Sequence, residues 1–170
     1  MEATVGQTPE SLAVLVFTLR GRLYGLLQES NATLQPWIQR YAAPGSIPGT
    51  PSWLLGLLSV QGTVQPIVDL GAFVGMEAST PTTETRFIFV QRDELCVGLL
   101  VDAASSVRYF DTLAPSRSHE TDRTTLLPTL LTGTARLDEN DIAILRAGDL
   151  MDVLTALLES SINAPFTVTA

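Results

Sequence analysis

The chain has 170 residues, of which 45% are hydrophobic, and it carries a formal net charge of -8. A chain of this length and composition can bury a large apolar core, and its negative charge disfavours nucleic acid and anionic membrane as partners. Residues 1–8 lack the pattern of a secretory signal, no apolar run is long enough to span a membrane, and one cysteine fits a reducing compartment, so we expect a cytoplasmic protein with no direct membrane insertion.

Apolar runs that are separated by short polar or glycine-containing turns predict four β-hairpins. The predicted strand pairs are residues 12–19 with 23–27, 54–60 with 64–68, 86–91 with 95–101, and 131–137 with 142–145. Val107 to Phe110 is expected to continue the sheet. Pro66 places its strand at an edge or a bulge, because proline lacks the backbone N–H of a ladder. The pattern therefore predicts a mainly β fold.

Two short segments show helical signals. Asp69 is a candidate N-cap for a helical turn through residues 70–74, and Asp149 is a candidate N-cap for a C-terminal helix over residues 149–161. The apolar residues of that helix recur at helical spacing. Proline, glycine and polar residues predict loops over residues 42–51, 77–85 and 111–125, and flexible termini over residues 1–11 and 164–170.

The chain contains an internal repeat. Gly25 in Leu-Tyr-Gly-Leu-Leu returns 73 residues later as Gly98 in Cys-Val-Gly-Leu-Leu, and Gly56 returns 77 residues later as Gly133. Such offsets indicate a duplicated unit. We therefore predict two similar subdomains over residues 12–76 and 86–148.

Few residues favour catalysis. The sole histidine, His119, lies in a polar loop without a second metal ligand, and Cys96 lies in an apolar strand without a nearby base, so we expect no metal and no cofactor. Asp69 and Asp102 end apolar strands. They leave open a small-molecule-binding or enzymatic double barrel as an alternative, although turn capping also explains them.

Residues 54–70 resemble the signature of CheW-like domains, in which a Gly-x-x-Asn-x-Arg-Gly stretch leads to Pro-x-x-Asp-Leu. Val97 to Asp102, followed by Val107, resembles the second-half hairpin of the family, and Leu131-Thr132-Gly133 with Asp149-Leu150 resembles its last one. The resemblance covers residues 12–158, and we expect this range to form a single CheW-like domain.

That resemblance implies two SH3-like five-stranded β-barrel subdomains, packed through a shared hydrophobic seam, with a C-terminal helix. It also implies a non-catalytic adaptor that couples a chemoreceptor or other sensor to a CheA-type histidine kinase in chemotaxis or motility signalling. Family members bind the kinase regulatory domain through apolar barrel ends and the receptor tip in the groove between barrels. The partner-binding residues implied for the receptor groove and hairpin tip are Asn31, Thr33, Leu34, Gly56, Leu58, Ser59, Gln61, Gly62 and Val107.

The chain departs from the family pattern in the groove. Ser59 and Gln61 stand where the family has Asn and Arg, and Thr33 aligns with its usual Glu, so two opposite charges are missing together. Gln28 and Asn31 stand where apolar groove residues are expected. These changes leave open a self-assembling CheW-like protein without a receptor partner.

Overall fold

The computed structural model of the chain describes residues 12–28, 37–92, 95–114 and 131–163. Within these residues ten strands form two five-stranded sheets, which confirms the mainly β fold. Neither described helix is both long and apolar enough to cross a membrane. The strands are β1 (Leu12–Leu19), β2 (Arg22–Leu27), β3 (Trp37–Arg40), β4 (Leu54–Val60), β5 (Thr63–Asp69), β6 (Arg86–Arg92), β7 (Leu95–Val101), β8 (Ala103–Phe110), β9 (Leu131–Leu137) and β10 (Asn140–Arg146), and the helices are α1 (Leu70–Phe73) and α2 (Ala147–Asn163).

The two sheets share one arrangement of strands. Sheet A has the order β8-β1-β2-β10-β9, and sheet B has the order β3-β6-β7-β5-β4. In each, two antiparallel hairpins meet through one parallel pairing, which places Gly25 opposite Ile144 in sheet A and Gly98 opposite Ile67 in sheet B. The glycines of the sequence repeat therefore occupy the same register position in both sheets.

The sheets do not follow the predicted subdomain boundaries at residues 12–76 and 86–148. Sheet A joins the β1–β2 hairpin to the β9–β10 hairpin, and sheet B joins β4–β5 to β6–β7. Each sheet thus combines the first hairpin of one repeat with the second hairpin of the other. Local turns specify the hairpins, whereas the parallel pairings join strands that are distant in sequence and leave no local signal.

Close packing explains why the repeat glycine is required at the parallel pairing. A Cβ atom on Gly98 would lie 2.6 Å from Ile67 Cδ1 and 2.8 Å from Phe89 Cε1. A Cβ atom on Gly25 would lie 2.7 Å from Ile144 Cδ1. In both sheets an isoleucine of the neighbouring strand fills the space that the missing side chain leaves.

The core is divided by the alternation of side chains along the strands. In β1, Leu15, Phe17 and Leu19 join a large central cluster, whereas Val14 and Val16 join a smaller cluster within sheet A. In β7, every second residue joins the same central cluster, and the residues between them join a small cluster within sheet B. Because the central cluster takes residues from both sheets and α2, it is the predicted hydrophobic seam.

The helices confirm one predicted cap and correct the other. Asp69 caps α1, since its Oδ1 accepts a hydrogen bond of 3.2 Å from the Ala72 N–H. Helix α2 begins directly after β10 at Ala147, so Asp149 lies in its first turn and is not the N-cap. There its carboxylate still complements the positive end of the helix dipole. The predicted apolar stripe of α2 is confirmed, because Leu150 and Leu154 are buried in the central cluster.

Candidate protein-interaction site

The β4–β5 hairpin carries most of the predicted partner-binding residues that the structure describes. Its two turn residues, Gln61 and Gly62, have φ angles of 51° and 81°, as a tight type I′ turn requires. The parallel pairing of β5 with β7 begins only at Ile67, so Pro66 lies in a stretch of β5 that is paired on the β4 side. The predicted edge position of this strand is wrong, because β5 lies between β7 and β4, but the stretch around Pro66 pairs on one side only and so tolerates proline.

The outer face of this hairpin is apolar and exposed. Leu57 is 40% exposed and Val64 is 59% exposed. Leu57 lies opposite Pro66, and Ser59 lies opposite Val64, so the exposed apolar side chains adjoin one another on one face. We call Leu57, Val64 and Pro66 the hairpin patch. Its neighbours Ser59 and Gln61 are uncharged, so an apolar partner would not have to remove a charge of these neighbours from water.

The equivalent hairpin of sheet A has the same geometry with different chemistry. Arg136 lies opposite Asp141 at the positions that correspond to Ser59 and Val64. Its turn residues are the exposed Asp138 and Glu139, whose φ angles are also positive. The two ends of this duplicated fold therefore present one apolar surface and one charged surface.

Gly56 allows the backbone of the loop after β3 to approach β4 closely. Its φ angle is 145°, and a Cβ atom there would overlap the carbonyl group of Gly45. Gly45 and Leu57 exchange two backbone hydrogen bonds of 2.8 and 2.9 Å, which tie the loop after β3 to β4. Leu58 also faces inward, since it packs against the small cluster of sheet B. Gly56 and Leu58 thus shape the hairpin and do not form its exposed face.

Val107 lies apart from the hairpin residues in the fold. It is in β8, an edge strand of sheet A, where it faces Leu15 and is 36% exposed. Tyr109, two residues further along the same face of β8, is 70% exposed. Asn31, Thr33 and Leu34 lie outside the described residues, so the structure does not bring the whole predicted set together. His119 also lies outside them.

Sequence reasoning missed the hairpin patch and Tyr109. A bulge between Leu54 and Gly56 reverses the face of the sheet to which each following side chain of β4 points, so that Leu57 points outward and Leu58 inward. A strand without a bulge would alternate uniformly, and the sequence pattern carries no other sign of the shift. For Tyr109, an aromatic residue on a predicted strand continuation was an available signal.

The two aspartates of the enzymatic alternative are both engaged by the protein. Asp69 is 1% exposed and accepts hydrogen bonds from the Ser79 N–H at 2.8 Å and the Ser79 hydroxyl at 3.0 Å, in addition to the α1 cap. Asp102 forms an ion pair of 3.0 Å with Arg20. Burial raises the pKa of the Cys96 thiol, which keeps it protonated and weakly nucleophilic. These groups are arranged to hold structure.

Comparison with known proteins gives a consistent result. Residues 13–154 match the family model of the CheW-like domain. Among curated proteins, the probable chemotaxis protein CheW of Rhizobium etli is 37% identical over 70 residues, which cover 41% of this chain and 45% of that protein. Chemotaxis protein CheW of Bacillus subtilis is 28% identical over 94 residues, which cover 55% of this chain and 58% of that protein. The chain therefore aligns with about half the length of these relatives.

A solved structure resembles most of the chain. The scaffolding protein TtCheW from Thermoanaerobacter tengcongensis superposes with a TM-score of 0.65 and 25% sequence identity, and the match covers 79% of this chain and 88% of that chain. The shared architecture thus extends over both sheets.

Proposed function

The chain belongs to the CheW-like domain family, and we propose that it is a non-catalytic adaptor coupling a sensor or receptor to a CheA-type histidine kinase in chemotaxis or motility signalling. As part of the same proposal we place it in the cytoplasm, where such a kinase acts. The observation that carries the proposal is the hairpin patch, an exposed apolar surface on the β4–β5 hairpin of sheet B.

The hairpin patch is suited to docking a partner domain. Leu57 and Val64 would lose their remaining exposed area on binding, and removing apolar area from water contributes about 25 cal/mol per Å². Protein interfaces concentrate their binding energy in a few central apolar side chains within a polar rim. Val64 would be such a centre, with Leu57 and Pro66 around it. We assign the kinase regulatory domain to this patch.

We assign the receptor or sensor to a second surface around Val107. The family resemblance also assigns Asn31, Thr33 and Leu34, together with Ser59 and Gln61 of the hairpin tip, to the receptor. Support from the fold is that Val107 and Tyr109 project from the same face of an edge strand. An edge strand with exposed apolar side chains offers both contact area and free backbone groups to a partner.

Isothermal titration of the purified chain against the purified regulatory domain of the CheA-type kinase from the same genome tests the proposal. Val64→Asp should weaken binding by at least about 10-fold, since burying an unpaired carboxylate in an apolar interface is costly. Asp141→Ala is the matched control, because Asp141 occupies the equivalent position in sheet A. Its affinity should equal that of the unmodified chain.

Absence of binding by the unmodified chain would overturn the adaptor proposal. Equal binding by Val64→Asp and the unmodified chain would overturn the assignment of the kinase to the hairpin patch.

A further inference from the structure

A polar network that ends in the buried Asp69 links the two sheets. The Arg20 guanidinium pairs with Asp102 at 3.0 Å, contacts the Ser79 hydroxyl at 3.1 Å and also donates to the Glu77 carbonyl. The Ser79 hydroxyl in turn donates to Asp69 Oδ1 at 3.0 Å. One serine therefore bridges a guanidinium from sheet A and a buried carboxylate from sheet B.

The two acidic ends of this network are tied firmly to the backbone. Asp102 accepts a hydrogen bond of 2.6 Å from the Arg20 N–H, and its own N–H donates to the Thr18 carbonyl at 3.0 Å. Asp69 also accepts from the Ser79 N–H at 2.8 Å. Movement of either aspartate would therefore break several hydrogen bonds together.

The position of the network along the chain relates it to both proposed surfaces. Asp69 is the last residue of β5, the strand that carries Val64 of the hairpin patch. Asp102 directly precedes β8, the strand that carries Val107 and Tyr109. The network thus joins the base of one partner-bearing strand to the start of the other.

We propose that Arg20 and Ser79 are positioning residues that hold the β4–β5 hairpin and β8 at a defined separation. Neither residue belongs to the proposed partner surfaces. Each acts through an aspartate, either Asp69 at the end of β5 or Asp102 directly before β8. The consequence for function, that a partner bound at one surface is presented at a defined position relative to the other, rests on the proposed adaptor role. The proposal that these residues fix the separation of the hairpin and β8 does not depend on the adaptor role.

Space around the guanidinium supports a positioning role. A Cβ atom on Gly71 would lie 3.0 Å from Arg20 Nη2, so glycine at this position leaves room for the side chain that crosses between the sheets. Arg20 has a positive φ angle of 51° in the β1–β2 turn, and its backbone N–H donates to Asp102. The contacts to Asp102, Ser79 and the Glu77 carbonyl use the planar fork of an arginine, which lysine does not have.

Pulsed electron–electron spin resonance distances between nitroxide labels test the proposal without any partner. The labels are attached at the exposed positions Gln61→Cys and Tyr109→Cys in a Cys96→Ala background. Arg20→Gln and Ser79→Ala should each broaden or shift the distance distribution between these labels. Arg92→Gln is the control, because it removes an ion pair to Asp152 that joins β6 to α2. It should leave the distribution unchanged.

The readout separates positioning from stability alone. A purely structural contribution would lower the melting temperature while the distance distribution of the folded protein stayed the same. An unchanged distribution in folded Ser79→Ala would overturn the proposal, and this smaller substitution gives that answer even where Arg20→Gln does not fold. Because no kinase or receptor is present, this outcome is independent of whether the adaptor proposal holds.

Discussion

Replacing Gly56 with alanine tests whether this residue shapes the hairpin or only adjoins a partner. The added methyl group would overlap the Gly45 carbonyl group, whose carbon would lie 2.6 Å from the new Cβ. Backbone atoms cannot rotate away as a flexible side chain can. The substitution therefore has to displace the loop after β3 from β4.

The cost can be worked out from the contacts that would be lost. Separating Gly45 from Leu57 breaks two backbone hydrogen bonds, each of which contributes about 0.5–1.5 kcal/mol net. The φ angle of 145° adds a conformational cost of about 1–3 kcal/mol for a residue with a side chain. We expect Gly56→Ala to lower the free energy of unfolding by about 2–6 kcal/mol in total.

Gly62→Ala provides the matched comparison. Gly62 also has a positive φ angle, of 81°, but no atom lies within 4 Å of the added Cβ, so only the conformational cost remains, about 1–2 kcal/mol. Urea denaturation followed by circular dichroism measures both variants. Equal destabilisation of the two variants would refute the claim that the Gly45 carbonyl group occupies the space next to Gly56.

Ser79→Ala should lower the free energy of unfolding by about 1–3 kcal/mol in urea denaturation, because it leaves a buried carboxylate with fewer donors; no loss would contradict the network. Burial raises the pKa of the Cys96 thiol above 9.0 and of the Tyr24 hydroxyl above 10.0, so the unfolded chain releases these protons first. Stability should be full below about pH 9 and fall as the pH rises further, and denaturation midpoints that stay constant up to pH 11 would contradict this; the absence of lysine from the chain removes the usual competing titration. Thr33→Glu combined with Gln61→Arg should increase affinity for a conventional chemoreceptor tip in titration, with no gain indicating that charge is not the missing determinant.

The alternative of self-assembly has its own test. Static light scattering over a range of concentrations gives the mass of the purified chain. A constant monomer mass supports the adaptor, whereas a mass that rises with concentration supports a CheW-like protein that associates with itself. Val64→Asp measured alongside shows whether the hairpin patch carries such association.

The sequence by itself determined the local structure of this protein. Alternating apolar residues and glycine-containing turns predicted the hairpins around Gly21 and Gly62. Asp69 was predicted as a cap from its position before Leu70. Such features depend on residues within a few positions of one another, which is why the sequence pattern reveals them.

Only the tertiary structure decided how the hairpins combine and which residues they expose. The exchange of hairpins between the two repeats depends on parallel pairings, of β2 with β10 and of β5 with β7, that no turn specifies. The link from Arg20 to Asp102 follows from the pairing of β1 with β8, and the outward direction of Leu57 follows from a bulge in β4. The physical reason is that these contacts join segments far apart in the chain, so their free energy exists only once the sheets have packed.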